Sequence, residues 1–205
     1  DYSCNDNNIV SASYLCSDIS SSKTCFDGAC VDLKIVNSLL LYLKFDDDLS
    51  DNIASDSSGK NNHGSCPEFG GSCPGFVDSG LNKGSYDFNG LDSYVRVSSN
   101  DFNFGKGDSY TIAAVVTPKK SSSSFNINPA IIEKWGETSG TYPFVMRFSE
   151  KDQPNIPEGR IWCAAYDGLP SIGGTNSIPQ VVSKDSWTDR RVFVACVYDS
   201  FGIKL

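Results

Sequence analysis

The chain of 205 residues has an ordinary composition, with 39% hydrophobic and 20% charged residues, which argues against a wholly disordered chain or one that spans a membrane. Its formal net charge is -8. Lysine and arginine occur singly except at Lys119-Lys120 and Arg190-Arg191, and nucleic-acid binding needs clustered cations. We therefore expect neither a nucleic-acid partner nor insertion into a membrane.

The cysteine content indicates an oxidising compartment. Eight cysteines accompany one methionine and one histidine, and no apolar leader segment precedes Asp1, so we expect a mature, secreted chain found outside the cell or at its surface. The cysteines are Cys4, Cys16, Cys25, Cys30, Cys66, Cys73, Cys163 and Cys196.

Residues 1–36 differ from the rest of the chain, since they hold four of the eight cysteines among Asp, Asn and Ser. This pattern predicts a small disulfide-rich N-terminal cap, followed by a main domain over residues 37–205. A zinc site is the alternative, but only the spacing of Cys25 and Cys30 approaches that of a zinc knuckle. Disulfides are the preferred interpretation, and all three pairings of these four cysteines stay open.

From residue 38 onward, short β-branched and aromatic runs alternate with Gly, Asn, Asp and Ser, a pattern typical of strands joined by turns. The run 111–116 is apolar on both faces and predicts a central strand covered on both sides. We predict no amphipathic helix, and hence an all-β, antiparallel two-sheet sandwich. The predicted strands are 39–45, 85–89, 94–98, 110–117, 130–135, 142–148, 160–166, 178–183 and 191–198.

Three motifs support a family resemblance. The first is the strand LYLKFD at 41–46 with the turn DSSGKNNHG at 56–64, the second is YDFNGLDSYVRV at 86–97, and the third joins Trp187 to VFVACVYD at 192–199 and GIKL at 202–205. Together they resemble the laminin-G-like domains of the concanavalin-A-like lectin/glucanase superfamily, which implies a jelly roll. Members of that family continue past the Lys-Leu pair, so we expect this sandwich to lack its last strands and to have an open edge.

Two cysteine pairs have a geometric rationale within the main domain. Cys66 and Cys73 flank a loop that is rich in turn-forming residues, and a disulfide between them would close this loop at its base. Cys163 and Cys196 lie on two predicted strands, which as neighbours would bring their β-carbons within bonding reach. Two buried thiols are the alternative for the second pair.

A structural calcium ion is implied by the resemblance of the first motif to the family's calcium-holding loop. Its expected ligands are Asp46, Asp56 and Asn62, whose oxygen atoms are of the kind that calcium prefers. From the residues alone, the alternative is a solvated acidic turn in which Asp56 makes an Asx turn.

Carbohydrate binding would need exposed aromatic rings to stack on sugars and polar groups to pair with hydroxyls. The candidate residues are Trp135, Tyr142, Arg147 and Tyr166. Trp162 could also contribute, but packing in the core is the preferred interpretation for it. Retaining glucanases place carboxylates at alternate positions of one strand. Neither Glu133 with Glu137 nor Glu150 with Asp152 has that arrangement, so we expect no catalysis.

The resemblance thus implies a non-catalytic extracellular binding or adhesion module that recognises carbohydrate or a cell-surface protein. Two alternatives remain open. One is a structural subunit of a surface filament or sheath, in which copies of the chain complete one another by donating strands. The other is a non-catalytic part of a larger glycan-active enzyme.

Overall fold

The structure, a computed structural model, consists mainly of β-strands and falls into two compact units. The first comprises residues 1–87 and 95–98, and the second comprises 88–94 and 99–205. The expected cap, 1–36, is part of the first unit. The residues described are 4–5, 8–9, 22–26, 29–66, 70–80, 84–104, 108–120, 129–134, 144–152, 154–165, 180–199 and 202–205.

The first unit contains small antiparallel sheets. Strands β1 and β2 form one pair, β3 and β4 a second, and β7 and β8 a third, while β5, β6 and β9 form a three-stranded sheet with β6 in the centre. The elements are β1 (Cys4–Asn5), β2 (Asn8–Ile9), β3 (Lys23–Phe26), β4 (Ala29–Asp32), α1 (Leu33–Ser38), β5 (Ile53–Ala54), β6 (Gly64–Ser65), β7 (Gly75–Val77), β8 (Ser85–Asp87) and β9 (Arg96–Val97).

One element of this unit was not predicted, and one predicted strand was wrong. A six-residue helix, α1, occurs where none was predicted, and the Asp32 side chain caps it by accepting a hydrogen bond from the Lys34 backbone N–H at 2.9 Å. The predicted strand 39–45 contains only an isolated bridge between Leu43 and Asp56. Phe45 has a positive φ of 57°, which interrupts an extended conformation.

The core of the first unit consists of the buried residues Leu49, Ala54, Cys66 and Tyr86. The Phe45 ring stacks on Tyr86 with centroids 4.3 Å apart. Cys66 and Cys73 form a disulfide with a Cα–Cα distance of 5.1 Å, which is the pairing expected from the sequence.

The second unit contains a three-stranded and a four-stranded antiparallel sheet. The order of the first sheet is β10-β15-β16, and that of the second is β11-β12-β13-β14. The strands are β10 (Tyr110–Val116), β11 (Ala130–Lys134), β12 (Phe144–Phe148), β13 (Ile161–Ala164), β14 (Gln180–Val182), β15 (Val192–Asp199) and β16 (Gly202–Lys204).

The prediction that 111–116 forms a central strand covered on both faces was wrong. Strand β10 lies at one edge of its sheet as described, and β15 is central. Burial alternates along β10, with Thr111, Ala113 and Val115 exposed. Val115 is 44% exposed, so a run whose sequence is almost entirely apolar still has one face in solvent.

Side chains from both sheets of the second unit form one core. Met146, Cys163 and Cys196 are fully buried in it. Cys163 and Cys196 form the expected disulfide, with a Cα–Cα distance of 6.4 Å. The expected strand arrangement was wrong, however. Strands β13 and β15 are not neighbours in one sheet, because they belong to different sheets. The disulfide therefore ties the two sheets together.

Candidate functional site

The four-stranded sheet presents one face to the core and the other away from it, because side chains alternate along a strand. Met146 and Phe148 of β12 belong to the core, so Arg147 between them points the other way. Arg147 is the cross-strand partner of Trp162, and directly opposed residues share a face. We call the side of the sheet formed by Glu133, Val145, Arg147, Trp162 and Ala164 the outer face. Val145 and Ala164 on it are buried, and the other three are partly exposed.

Glu133 and Arg147 form an ion pair on the outer face. The Arg147 Nε and NH2 groups donate to Glu133 Oε2 at 3.0 and 2.5 Å. The side chains are only 22% and 25% exposed for Arg147 and Glu133, so the pair is partly shielded from water and holds the guanidinium in place. A register irregularity between Ala130 and Ile132 precedes Glu133 in β11 and sets which β11 side chains share the face with Arg147.

Trp162 lies beside this ion pair. The carbon at the centre of the Arg147 guanidinium is 5.9 Å from the centroid of the indole ring, within the range of a cation–π contact. The ring is partly buried. Among the described residues, the Trp162 Nε1–H group is a buried donor that has no acceptor, an arrangement that costs about 1–3 kcal/mol and that calls for an explanation.

Of the four predicted carbohydrate-binding residues, the structure describes only Arg147. Trp135, Tyr142 and Tyr166 lie outside the described residues. Glu133 was not predicted as a binding residue, and packing was preferred for Trp162. The structure brings both next to Arg147. Side chains alternate between the two faces of a strand, so the run from Phe144 to Phe148 indicates that Arg147 points away from the core. The sequence gives no signal for the strand register that places Trp162 opposite Arg147.

The turn that follows the first motif is organised by the Asp56 carboxylate. Asp56 Oδ1 accepts from the backbone N–H groups of Tyr42 and Ser58, both at 2.9 Å. Asp56 Oδ2 accepts from the Ser58 hydroxyl at 2.8 Å and from the Asn62 N–H at 2.9 Å. The Asn62 amide donates to the Leu40 carbonyl at 2.8 Å. Asp56 therefore makes the Asx turn that the sequence analysis gave as the alternative to a calcium site.

The expected calcium ligands do not fit a coordination shell in this arrangement. The four donors on Asp56 take up about all the lone pairs that a carboxylate offers, and a calcium ion would have to displace some of them. Asp46 is exposed. In the part of the chain that the structure describes, no cluster of three or more His, Cys, Asp or Glu residues is suited to a metal. Calcium binding by Asp46, Asp56 and Asn62 stays a prediction of the family resemblance, and the hydrogen bonds to Asp56 do not favour it.

Hydrogen bonding sets the ionisation of the carboxylates in this region. Burial by itself would raise the pKa of Asp56, but the donors of Tyr42, Ser58 and Asn62 outweigh it and lower the pKa. The pKa of Asp47 is likewise lowered, because bonds from Tyr86 and Ser55 exceed the effect of burial. The Tyr86 hydroxyl donates to Asp47 Oδ1 at 2.8 Å. Both carboxylates thus act as anchors for backbone and side-chain donors.

Two of the four cysteines of the expected cap lie on a pair of strands. Cys25 and Cys30 face each other across the β3–β4 pair, and each is disulfide-bonded, which excludes both as zinc ligands in this structure. The side chain of Cys4 and all of Cys16 lie outside the described residues. No free cysteine occurs in the described part of the chain.

Comparisons with protein-family models, curated proteins and solved structures give no match to this chain. The family resemblance therefore rests on the three sequence motifs alone. Among the described residues, no helix has the length and apolar character needed to cross a membrane.

Proposed function

We propose that this chain is an extracellular, non-catalytic binding module that recognises carbohydrate, free or carried by a surface protein, on the outer face of its four-stranded sheet. The observation that carries the proposal is the partly buried Trp162 ring beside the Glu133–Arg147 ion pair. An aromatic ring supplies an apolar surface for the C–H groups of a sugar, and a carboxylate and guanidinium supply acceptors and donors for hydroxyls.

The site is held rigidly enough to select a ligand. Arg147 is fixed by two hydrogen bonds to Glu133, and Trp162 by its place in a strand paired on both sides. Fixed side chains lose less conformational entropy when a ligand binds.

The absence of catalysis is proposed from the same surface. Among the described strand residues of this sheet, Glu133 is the sole carboxylate, and it is paired with Arg147. Glycoside hydrolysis in its common forms uses two carboxylates. The extracellular location is proposed from the disulfides, which persist in oxidising compartments.

The test is a glycan array probed with the 205-residue chain, followed by titration calorimetry on the glycans that bind. Trp162→Phe keeps an aromatic ring but loses the indole N–H group. Arg147→Lys keeps a positive charge but loses the planar guanidinium group. We expect each to weaken binding at least about tenfold, a loss of about 1.4 kcal/mol, with thermal unfolding little changed.

Arg191→Lys is the matched control, because Arg191 is exposed and not part of the outer face. It should bind as the unaltered chain does. Equal binding by all four proteins, or no glycan binding by the unaltered chain, would contradict the proposal.

A further inference from the structure

Asn89 and Gly90 form the only Asn-Gly pair in the chain, and they begin a turn of the second unit over residues 89–93. Asn89 is exposed, and Gly90 is partly exposed. The φ of Gly90 is 70°, in the left-handed region that favours glycine. The turn therefore selects a residue without a β-carbon directly after Asn89, so no side chain at position 90 shields the backbone nitrogen there.

The side-chain amide of Asn89 organises this turn. Its Oδ1 accepts from the backbone N–H groups of Leu91, Asp92 and Ser93 at 2.8, 3.1 and 3.1 Å. The same oxygen accepts from the Ser93 hydroxyl at 3.0 Å. The Asn89 Nδ2 group donates to Asp92 Oδ1 at 2.8 Å. The conformation of the turn therefore depends on an intact amide at position 89.

The same hydrogen bonds polarise the Asn89 amide for nucleophilic attack. Donors aimed at a carbonyl oxygen stabilise the negative charge that develops on it when a nucleophile attacks the carbonyl carbon. The Gly90 nitrogen is the next backbone nitrogen along the chain, and its bond to the Asn89 Cγ atom closes a five-membered ring. An intramolecular attack of this kind needs no encounter with a second molecule. The turn thus combines a polarised amide with an unshielded nucleophile.

We propose that Asn89 is a site of spontaneous deamidation through a cyclic imide. The Gly90 nitrogen loses its proton and bonds to Asn89 Cγ, and the bond from Cγ to Nδ2 breaks and releases ammonia. Water then hydrolyses the imide at one of its two carbonyl carbons. Hydrolysis at Cγ gives aspartate, and hydrolysis at the main-chain carbonyl carbon of residue 89 gives isoaspartate. Overall, the amide and one water molecule become a carboxylate and an ammonium ion.

The isoaspartate product opens the turn. Its main chain runs through the former Cβ and Cγ atoms, and its carboxylate is attached directly to Cα. The acceptor is therefore displaced from the N–H groups of Leu91, Asp92 and Ser93. The donor to Asp92 is also lost, so that two carboxylates face each other and repel. The turn is not part of the four-stranded sheet, and the inference is independent of the proposed glycan site.

The first test is incubation of the 205-residue chain in mildly alkaline buffer, followed by peptide mapping with mass spectrometry. Asn155 is the internal control, because it is also exposed and also has a φ of 70°, but the β-branched Ile156 follows it. Asn89 should deamidate at least about tenfold faster, a barrier about 1.4 kcal/mol lower, and isoaspartate should be among the products. Equal rates at the two sites, or aspartate as the sole product, would overturn the proposal.

The second test separates the change of backbone from the change of charge. Asn89→Asp has the same atoms and the same charge as the isoaspartyl product, but its side chain still reaches the three backbone N–H groups. Amide hydrogen exchange at Leu91, Asp92 and Ser93, followed by NMR, reports the opening of the turn. Exchange should be faster in the chromatographically separated isoaspartyl chain than in Asn89→Asp. Equal exchange in the two proteins would show that the modification leaves the turn closed, contrary to the proposal.

Discussion

Tyr198 places a hydroxyl group within the apolar core of the second unit. Its Oη donates toward the carbonyls of Val145 and Ala164, at 3.1 and 3.3 Å. Burial raises the pKa of Tyr198, and the nearby Tyr110 adds to this, so the hydroxyl stays a donor across the usual pH range. Val145 and Ala164 are cross-strand partners in the four-stranded sheet, whereas Tyr198 comes from the other sheet. One hydroxyl therefore links the two sheets.

Tyr198→Phe should reduce the free energy of unfolding by about 1–3 kcal/mol, because packing is kept while two buried carbonyls lose a donor. Urea unfolding followed by tryptophan fluorescence measures the loss. The conservative variant Val194→Ile, in the same strand and the same core, controls for disturbance of packing. A Tyr198→Phe variant as stable as the unaltered chain would show that the hydroxyl does not stabilise the core.

Asp56 makes the free energy of unfolding of the chain depend on pH. Its folded-state pKa is lowered below the unfolded value near 3.9, so the stability it contributes is present above about pH 4 and is lost as the pH falls through the folded value. Asp56→Asn should lose about 1–3 kcal/mol at neutral pH, since an amide cannot accept from all four donors. Between pH 5 and pH 2, the free energy of unfolding of this variant should also fall less than that of the unaltered chain.

The measurement is urea unfolding of both proteins at a series of pH values. Asp51→Asn provides a comparison, because Asp51 is exposed and accepts from only the Ile53 N–H among the bonds described. If Asp56→Asn keeps the acid dependence of the unaltered chain, its carboxylate is not the group responsible.

Some residue roles were predictable from the sequence, and others were not. The Asn-Gly pair at 89–90 indicates a turn, and Asn89 Oδ1 indeed accepts from the N–H groups of Leu91, Asp92 and Ser93. The need for glycine at position 64 was not predictable, because it comes from a distant part of the first unit. A Cβ there would lie 2.4 Å from the Val95 Cγ1 atom.

At the scale of elements, long strands with β-branched residues were predictable and short ones were not. Strands β10, β12 and β15 lie within or overlap the predicted ranges 110–117, 142–148 and 191–198. Strands β5 and β6 have two residues each, too few for periodicity to indicate them. The sheet to which each strand belongs depends on distant pairing, which explains the misplacement of β10 and β13.

The two disulfides should differ in their effect on stability. Cys163 and Cys196 are 33 positions apart, and Cys66 and Cys73 are 7 apart. In the chain-entropy account the longer loop gives about 3–4 kcal/mol and the shorter about 2–3. Loss of two fully buried sulfur atoms adds to the cost at the longer loop.

Double alanine variants at each pair, unfolded in urea under oxidising conditions, compare the two disulfides. We expect the variant at Cys163 and Cys196 to lose more free energy of unfolding than the variant at Cys66 and Cys73. The reverse order would mean that strain or residual structure in the unfolded chain outweighs loop entropy.

At the scale of the whole molecule, the sequence predicted a chain rich in antiparallel strands, and the structure agrees. The division into two units after residue 87 was not predicted, because the motif at 86–97 continues across it without a change of composition. The specific jelly roll and its family stay predictions from the three motifs.

Calcium offers a test of the first unit. Because protein donors already occupy both oxygens of Asp56, we expect calcium chloride followed by excess EDTA to leave the midpoint of thermal unfolding unchanged. A midpoint that rises with calcium in the unaltered chain, but not in Asp46→Asn, would establish the site that the family resemblance implies.

The Cys163–Cys196 disulfide also determines how the chain responds to a mechanical load. When a protein is stretched from its ends, residues enclosed by a covalent bridge cannot add to its length. The separation of 33 residues corresponds to about 110 Å of contour at the extension of a fully stretched chain. Single-molecule stretching should therefore release about 110 Å more chain in a reductant than in its absence, and until then the two sheets share the tension through one bond.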